Sequence, residues 1–115
     1  MRPTFDEREL LQRVDNDQEF LRETVEMLRT DGTSLLSQIR AAVECGDSPG
    51  IARTAHTLKG MISNFCSPTT QAAALAVEEM GKHGDLSSAP AAVDQLEARL
   101  NALIDDLSDF LATRT

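Results

Sequence analysis

The sequence predicts an all-α protein, an antiparallel four-helix bundle with a short additional N-terminal helix. Three observations support this fold class. Apolar residues recur every three or four positions in four segments, serine, proline and glycine mark the ends of those segments, and no stretch alternates apolar and polar residues as a strand does. A chain of 115 residues is long enough for one packed core, so we expect a single domain over residues 1–115.

Each helix is predicted from its own apolar stripe. A short first helix between Phe5 and Val14 covers one end of the bundle, and a long second helix runs from about Asp17 to Cys45, with a bend allowed at Gly32. The stripe positions are Leu21, Val25, Leu28, Gly32, Leu35, Ile39 and Ala42 in the second helix, Ile51, Ala55, Leu58, Ile62 and Phe65 in the third, Ala73, Val77 and Met80 in the fourth, and Val93, Leu96, Leu100, Leu103, Leu107 and Phe110 in the fifth.

Serine and proline mark the starts of the last three helices. Ser48 precedes Pro49, Ser67 precedes Pro68, and Ser88 comes two residues before Pro90. A serine side chain caps a free backbone N–H, and proline fits the first helical turn, where no N–H is needed. Glycine followed by aspartate, at residues 46–47 and 84–85, ends the second and fourth helices.

Composition and charge exclude several classes of function. Eleven basic and 19 acidic side chains give a net charge of −8, which argues against nucleic-acid or anionic-membrane surfaces, because both require clustered positive charge. The four aromatic residues are all Phe, so base-stacking platforms are not expected. No segment resembles a signal peptide or a membrane span. Cys45 and Cys66 lack metal-ligand spacing, and we interpret them as buried, reduced side chains of a cytoplasmic protein.

His56 is the residue that does not fit the core. It lies in the middle of the third helix, about 140° from the centre of the apolar stripe, and is therefore predicted to face solvent. A solvent-exposed histidine on its own is usually an ordinary surface residue. The face around it is unusual for this acidic chain, because Arg53 and Lys59 lie within one turn of it and Ala52, Gly60 and Ser63 share the face.

Gly60 strengthens the functional interpretation. Glycine inside a helix costs about 1 kcal/mol relative to alanine, and no turn or cap explains it at this position. It removes a side chain one turn from an imidazole that is mostly neutral at cytoplasmic pH and has a free ring nitrogen as nucleophile. Lys59 would offset the charge of a phosphoryl group, and Ser63 would either hydrogen-bond the ring or phosphoryl group or remain a solvated surface serine. The arrangement suits a phosphoryl carrier.

These residues fall into two motifs with a known resemblance. They are Ala55-His56-Thr57-Leu58-Lys59-Gly60 with Ser63-Asn64-Phe65, and Val77-Glu78-Glu79-Met80-Gly81-Lys82 with Gly84-Asp85-Leu86. Together they closely resemble the histidine-containing phosphotransfer (HPt) domains of bacterial multistep phosphorelays, over about residues 5–111. Family members usually have glycine where Cys66 stands and small residues where Met61 and Ile62 stand, so we expect altered packing there with unchanged chemistry.

The resemblance implies a carrier without kinase activity of its own, either free-standing or part of a hybrid histidine kinase. His56 would accept a phosphoryl group at Nε2 from a phospho-Asp receiver domain and pass it to another receiver. Lys59 would contact the phosphoryl group, and Gly60 would leave clearance for the receiver. Ala52, Arg53 and Ser63, with the neighbouring second helix, would form the interface. The Mg²⁺ would belong to the receiver, and no metal or cofactor of the chain's own is expected.

Two other functions compete with the carrier. A helical interaction module that binds a receiver or kinase but accepts no phosphate is the alternative, and the presence of His56, Lys59 and Gly60 argues against it. A self-contained enzyme is disfavoured, because the sequence has no phosphate-binding glycine loop and no metal constellation. His83 is interpreted as a structural cation at a helix C-terminus, and Asp105, Asp106 and Asp109 as a solvated face. A complete bundle favours a monomer.

Overall fold

The computed structural model describes residues 4–113, and these residues form five α-helices without any strand. The helices are α1 (Glu7–Arg13), α2 (Gln18–Cys45), α3 (Ser48–Ile62), α4 (Pro68–His83) and α5 (Ala89–Ala112), with a 3₁₀ turn at Ser63–Phe65. α2 packs against α3 and α5, and α4 packs against the same two helices. The four long helices therefore close into a bundle around one apolar core, as the sequence predicted.

The starts of the helices are where the sequence placed them, but none of the three expected serine caps forms a capping hydrogen bond. Asp17 caps α2 by accepting a hydrogen bond from the N–H of Phe20 at 3.0 Å. α3 is capped by Asp47 and not by Ser48, since Oδ1 of Asp47 accepts from the N–H of Gly50 at 3.0 Å. Aspartate places an ionised acceptor at the positive end of the helix dipole, which a serine hydroxyl cannot do.

The remaining caps rely less on side chains than predicted. Ser67 occupies the N-cap of α4, but its hydroxyl donates to the side chain of Thr70, and Ser88 at the N-cap of α5 makes no capping bond. Glycine ends α2 and α4 as expected, because Gly46 and Gly84 have left-handed φ values of 70° and 72°.

Most of the predicted core is buried. Every stripe position of α3 and α5 is buried, and α2 runs without interruption through Gly32. In α2 the deeper residue is Leu36, and the predicted Leu35 is only half-buried. In α4 the predicted Val77 is buried, but the other two predicted stripe positions are each wrong by one residue. Ala73 and Met80 are half-buried, and the residues facing the bundle are Thr70, Ala74, Val77, Glu78 and Gly81.

α1 covers one end of the bundle, as predicted. The Phe5 ring, just before α1, packs edge-on against Phe110 with ring centroids 5.5 Å apart. The N–H of Asp6 donates to the carbonyl of Cys66 at 3.0 Å. Cys66 is buried and free, while Cys45, predicted to be buried, is exposed because it is the last residue of α2. Both thiols are unpaired.

Candidate functional site

His56 lies on the outer surface of α3, where the sequence placed it. Its side chain is 68% exposed, while the stripe residues Ile51, Ala55 and Leu58 on the opposite side of the helix are buried. A groove between α3 and α4 runs beside the ring. It is lined by Pro49, Ala52, Arg53, His56, Thr57, Glu78, Gly81 and Lys82.

One nitrogen of the His56 ring is held by a carboxylate from the neighbouring helix. Nδ1 lies 2.9 Å from Oε2 of Glu78, whose side chain is only 2% exposed. The Lys59 ammonium is the main cause that lowers the pKa of Glu78 from 4.5 to about 2. The His56 and Lys82 hydrogen bonds lower it further, against the opposing effect of burial. Glu78 is therefore ionised at neutral pH and can only accept.

The charge of Glu78 determines the tautomer of the neutral imidazole. A neutral ring carries one N–H, and an ionised carboxylate beside Nδ1 requires that proton on Nδ1. The lone pair is then on Nε2, the nitrogen that does not contact Glu78. The structure thus presents a nucleophilic ring nitrogen away from the buried carboxylate.

Two lysines balance the buried carboxylate. Nζ of Lys59 lies 2.7 Å from Oε1, and Nζ of Lys82 lies 3.3 Å from Oε2. Within residues 4–113 no donor is aligned for a hydrogen bond to Oε1, so Lys59 is held there as an ion pair. The side chain of Lys59 is 24% exposed and that of Lys82 is 54% exposed. Two cations against one carboxylate leave this part of the surface positive in a chain of net charge −8.

A close approach of α3 and α4 brings Glu78 to His56. A Cβ at Gly81 would lie 2.5 Å from the backbone nitrogen of Ala52 and 2.9 Å from the carbonyl oxygen of Ser48. No side chain fits between the two backbones at this point. Glu78 lies one turn before Gly81, so the contact also sets how closely the carboxylate reaches the ring.

Gly60 has a different environment. It is exposed, and a Cβ added to it would have no neighbouring atom within 4 Å among the described residues. Packing within this part of the chain therefore does not account for a residue that costs about 1 kcal/mol in a helix. The space beside it is open on the His56 face of α3.

The other predicted site residues lie on the same face of α3 and make no hydrogen bond to the His56 ring within the described part of the chain. The backbone of Ala52 forms the contact with Gly81, and Arg53 is exposed in the same groove. The Ser63 hydroxyl donates to the carbonyl of Gly60 at 2.6 Å, so of the alternatives left open for this residue the bond to the imidazole is not formed. The Ser63 carbonyl accepts from Arg13 at 3.1 Å.

His83 lies at a helix C-terminus as predicted, and of the three aspartates predicted to form a solvated face only Asp106 differs. His83 is the last residue of α4, and its Nδ1 donates to the carbonyl of Glu79 at 2.7 Å. Asp105 and Asp109 are exposed, and half-buried Asp106 accepts from Thr4 at 2.7 Å.

Sequence reasoning missed the roles of Glu78 and Lys82. Both were noted only as part of a family-like segment, and no carboxylate was expected next to His56. The spacing could have found Glu78, because it follows Ala74 by four residues and precedes Gly81 by three, in phase with small residues that suit a close helix contact. Lys82 follows Glu78 by four residues, the spacing of a helical ion pair.

No group of three or more histidine, cysteine, aspartate or glutamate side chains that could hold a metal ion occurs in the described range. The same range contains no helix that is both long and apolar enough to cross a membrane.

Comparisons with known proteins agree with this arrangement. The chain is similar in fold to the crystal structure of histidine-containing phosphotransfer protein B (HptB) from Pseudomonas aeruginosa PAO1, with a TM-score of 0.89 and 23% identity over 98% of each chain. No curated protein matches the chain. The family model of the Hpt domain matches residues 23–108, which include His56, Lys59, Glu78 and Lys82. The chain therefore belongs to the Hpt domain family, whose members carry phosphoryl groups in phosphorelays.

Proposed function

We propose that the chain accepts a phosphoryl group on Nε2 of His56 from a phospho-Asp receiver domain and passes it to another receiver. The observation that carries this proposal is the contact between His56 and Glu78. The imidazole is exposed, its Nδ1 is bound to a buried carboxylate, and its second nitrogen is free. A ring held in this way presents one defined lone pair to an incoming phosphorus atom.

The transfer step needs no proton movement on this chain. The Nε2 lone pair forms the N–P bond while the P–O bond to the aspartyl carboxylate breaks, and the leaving aspartate keeps the electron pair. The proton stays on Nδ1, so the ring becomes positively charged. Glu78, whose pKa is lowered to about 2, remains ionised and stabilises that charge. The reverse sequence passes the group to the next receiver.

The neighbouring residues have supporting roles in this proposal. Lys59 places a positive charge beside the carboxylate and near the phosphoryl group, and Gly60 leaves room for the receiver. Arg53 and Ala52 lie on α3 and border the groove between α3 and α4, and Ser63 directly follows the C-terminal end of α3. The Mg²⁺ and most of the stabilisation of the transition state would come from the receiver.

The docking surface is proposed on the exposed flank of α3 and the adjoining flank of α2. A second groove runs there, and Thr57, next to His56, lines it as well as the groove toward α4. The apolar members of this second groove are the half-buried Leu35 and Met61, which give a receiver helix two contacts beside the histidine. A cytoplasmic location is part of the same proposal and is supported by the two unpaired cysteines, and a monomer is proposed with it.

A phosphotransfer assay tests this function. The wild-type protein and its His56→Gln variant are incubated with a panel of phosphorylated receiver domains, and acid-labile, base-stable phosphate on the chain is followed. Label on the wild type and none on His56→Gln is the expected result. His83→Gln is the matched control, because it changes the other histidine and should leave labelling unchanged. A receiver that binds the protein but never labels it would refute the proposal and favour the phosphorylation-incompetent interaction module.

A further inference from the structure

The sequence contains two lysines, and both lie against the same buried carboxylate. They approach it from different sides. Lys82 contacts Oε2 of Glu78, the same oxygen that accepts from Nδ1 of His56. Its ammonium and the imidazole are therefore neighbours across one shared acceptor atom.

The two lysines differ in how closely they contact Glu78 and in how exposed they are. Lys59 reaches the inner oxygen at 2.7 Å with a largely covered side chain, while Lys82 is 3.3 Å from its oxygen and has more than half of its side chain exposed. An exposed lysine–carboxylate pair spaced four residues apart contributes little to stability, since water screens it. Of the two ammonium groups, that of Lys82 moves at the smaller cost.

After phosphorylation of His56, the charge of Lys82 would no longer be required to balance the carboxylate of Glu78. Once Nε2 carries a phosphoryl group and Nδ1 keeps its proton, the ring is positively charged. Glu78 is then balanced by the ring and by Lys59 alone. At the same time, close to two negative charges and three acceptor oxygens appear in the groove that Lys82 borders.

We propose that Lys82 is a phosphoryl-binding residue, which leaves Oε2 of Glu78 and contacts the phosphoryl group on His56. This inference rests on the proposed function for the identity of the modified residue. The two lysines then have different roles. Lys59 remains paired with the buried carboxylate of Glu78, while Lys82 moves to the negatively charged phosphoryl group. Arg53 borders the same groove but has no ion pair among the residues that the structure describes, and it lies on α3.

The test uses phosphoramidate, a small phosphoryl donor that requires no receiver. Wild type, Lys82→Met, Lys82→Arg and Arg22→Met are phosphorylated with it, and the ³¹P resonance of the phosphohistidine is titrated with pH. Arg22 lies on the exposed face of α2, so Arg22→Met removes the same charge away from the site. Loss of the ammonium should raise the pKa of the second phosphoryl ionisation in Lys82→Met only, and Lys82→Arg should restore it.

A second readout measures the energetic effect. The equilibrium between phosphorylated receiver and phosphohistidine should shift about tenfold toward the receiver in Lys82→Met, the size of one charge-assisted hydrogen bond at a half-exposed site. A residue that only supported the fold would move neither the phosphoryl titration nor this equilibrium.

The outcomes separate this inference from the proposed function. If Lys82→Met titrates like Arg22→Met, the role of Lys82 is refuted even where receivers label the wild type. If phosphoramidate labels His56 but no binding receiver does, the proposed function is refuted and the titration still decides the role of Lys82. Absence of phosphoramidate labelling on His56 would contradict both.

Discussion

Oε2 of Glu78 lies 2.9 Å from Nδ1 of His56, and this contact joins a buried charge on α4 to an exposed ring on α3. The carboxylate is ionised because Lys59 lies 2.7 Å from its other oxygen. The ring is thereby fixed in orientation and in tautomer, although it is open to solvent. The chemistry proposed for His56 depends on this contact with the buried carboxylate of Glu78.

Removing the charge of Glu78 should change how stability depends on pH. The pKa of Glu78 is lowered by folding, so its stabilisation is complete above about 4.5 and is lost as the pH falls toward about 2. Urea unfolding of wild type and Glu78→Gln should show the largest difference at pH 7 and a shrinking difference below pH 4.5. We expect the variant to be less stable by about 1–2 kcal/mol at pH 7, since it leaves Lys59 without its ion-pair partner. A constant difference between pH 7 and pH 2.5 would contradict the assignment.

Glu78→Gln should also remove the preference of the neutral His56 ring for a single tautomer. An amide presents either an acceptor oxygen or a donor nitrogen to Nδ1, so both ring tautomers become accessible. ¹⁵N NMR at a pH where the ring is neutral should show the proton on Nδ1 in wild type and a mixture in the variant. His83 is an internal reference, because its Nδ1 bonds to a backbone carbonyl and should not respond. Identical His56 spectra in the two proteins would show that Glu78 does not select the tautomer.

Two glycines near the site should respond in opposite ways to alanine. Gly81→Ala places a methyl group against the backbone of α3 and should destabilise the fold by about 1–3 kcal/mol. Gly60→Ala meets no atom and should stabilise α3 by about 0.5–1 kcal/mol, the difference in helix propensity. Thermal unfolding of both variants checks the pair.

Gly60→Gln should remain folded yet accept phosphate from receivers more slowly, and transfer at the wild-type rate would refute the clearance role of Gly60.

Cys66 is strained by its backbone. It has a φ of 56°, in the left-handed region that glycine adopts without penalty. Cys66→Gly and Cys66→Ala both remove the buried thiol, so the difference between them isolates the backbone. Chemical denaturation should find the glycine variant more stable by about 1 kcal/mol. Equal stabilities would mean that φ at this residue relaxes in the alanine variant.

The docking surface is tested at Met61. Its half-buried side chain lines the groove between α2 and α3, so Met61→Gln should weaken binding of a cognate receiver about tenfold, as loss of one apolar contact at an interface does. Ala98→Gln is the control, because residue 98 is exposed on α5, a helix that packs on α2 and α4. Equal affinities for the two variants, measured by calorimetry, would place the receiver elsewhere on the bundle.

The sequence was most informative where a single helix determines the answer. The stripe of α5 and the exposure of His56 follow from 3.6-residue periodicity, and both were predicted correctly. In the stripe of α4 Val77 was predicted correctly, but Ala74 and Gly81 are buried in place of Ala73 and Met80, because hydrophobic periodicity does not place a glutamate on a buried face. Glu78 is buried there because Lys59 and His56 reach it from α3. The periodicity of one helix does not show which residues of another helix will contact it. The contacts of Glu78 with Lys59 and His56 therefore became apparent only in the structure.

The caps show the same limit on a smaller scale. Ser48 and Asp47 are adjacent, and both are good N-cap residues, so composition places the start of α3 without choosing between them. In the structure Asp47 is the cap, because its side chain accepts a hydrogen bond from the N–H of Gly50. The departure at Cys66 was visible in the sequence, but its positive φ was not.

The most direct test of the account is the position of the phosphoryl group on the chain. Wild-type protein labelled with ¹⁵N in histidine is phosphorylated by a cognate phospho-receiver, and ³¹P–¹⁵N coupling identifies the nitrogen that carries phosphorus. The account predicts coupling to Nε2 of His56 with a proton retained on Nδ1. Phosphorus on Nδ1, on His83 or on a carboxylate would contradict it.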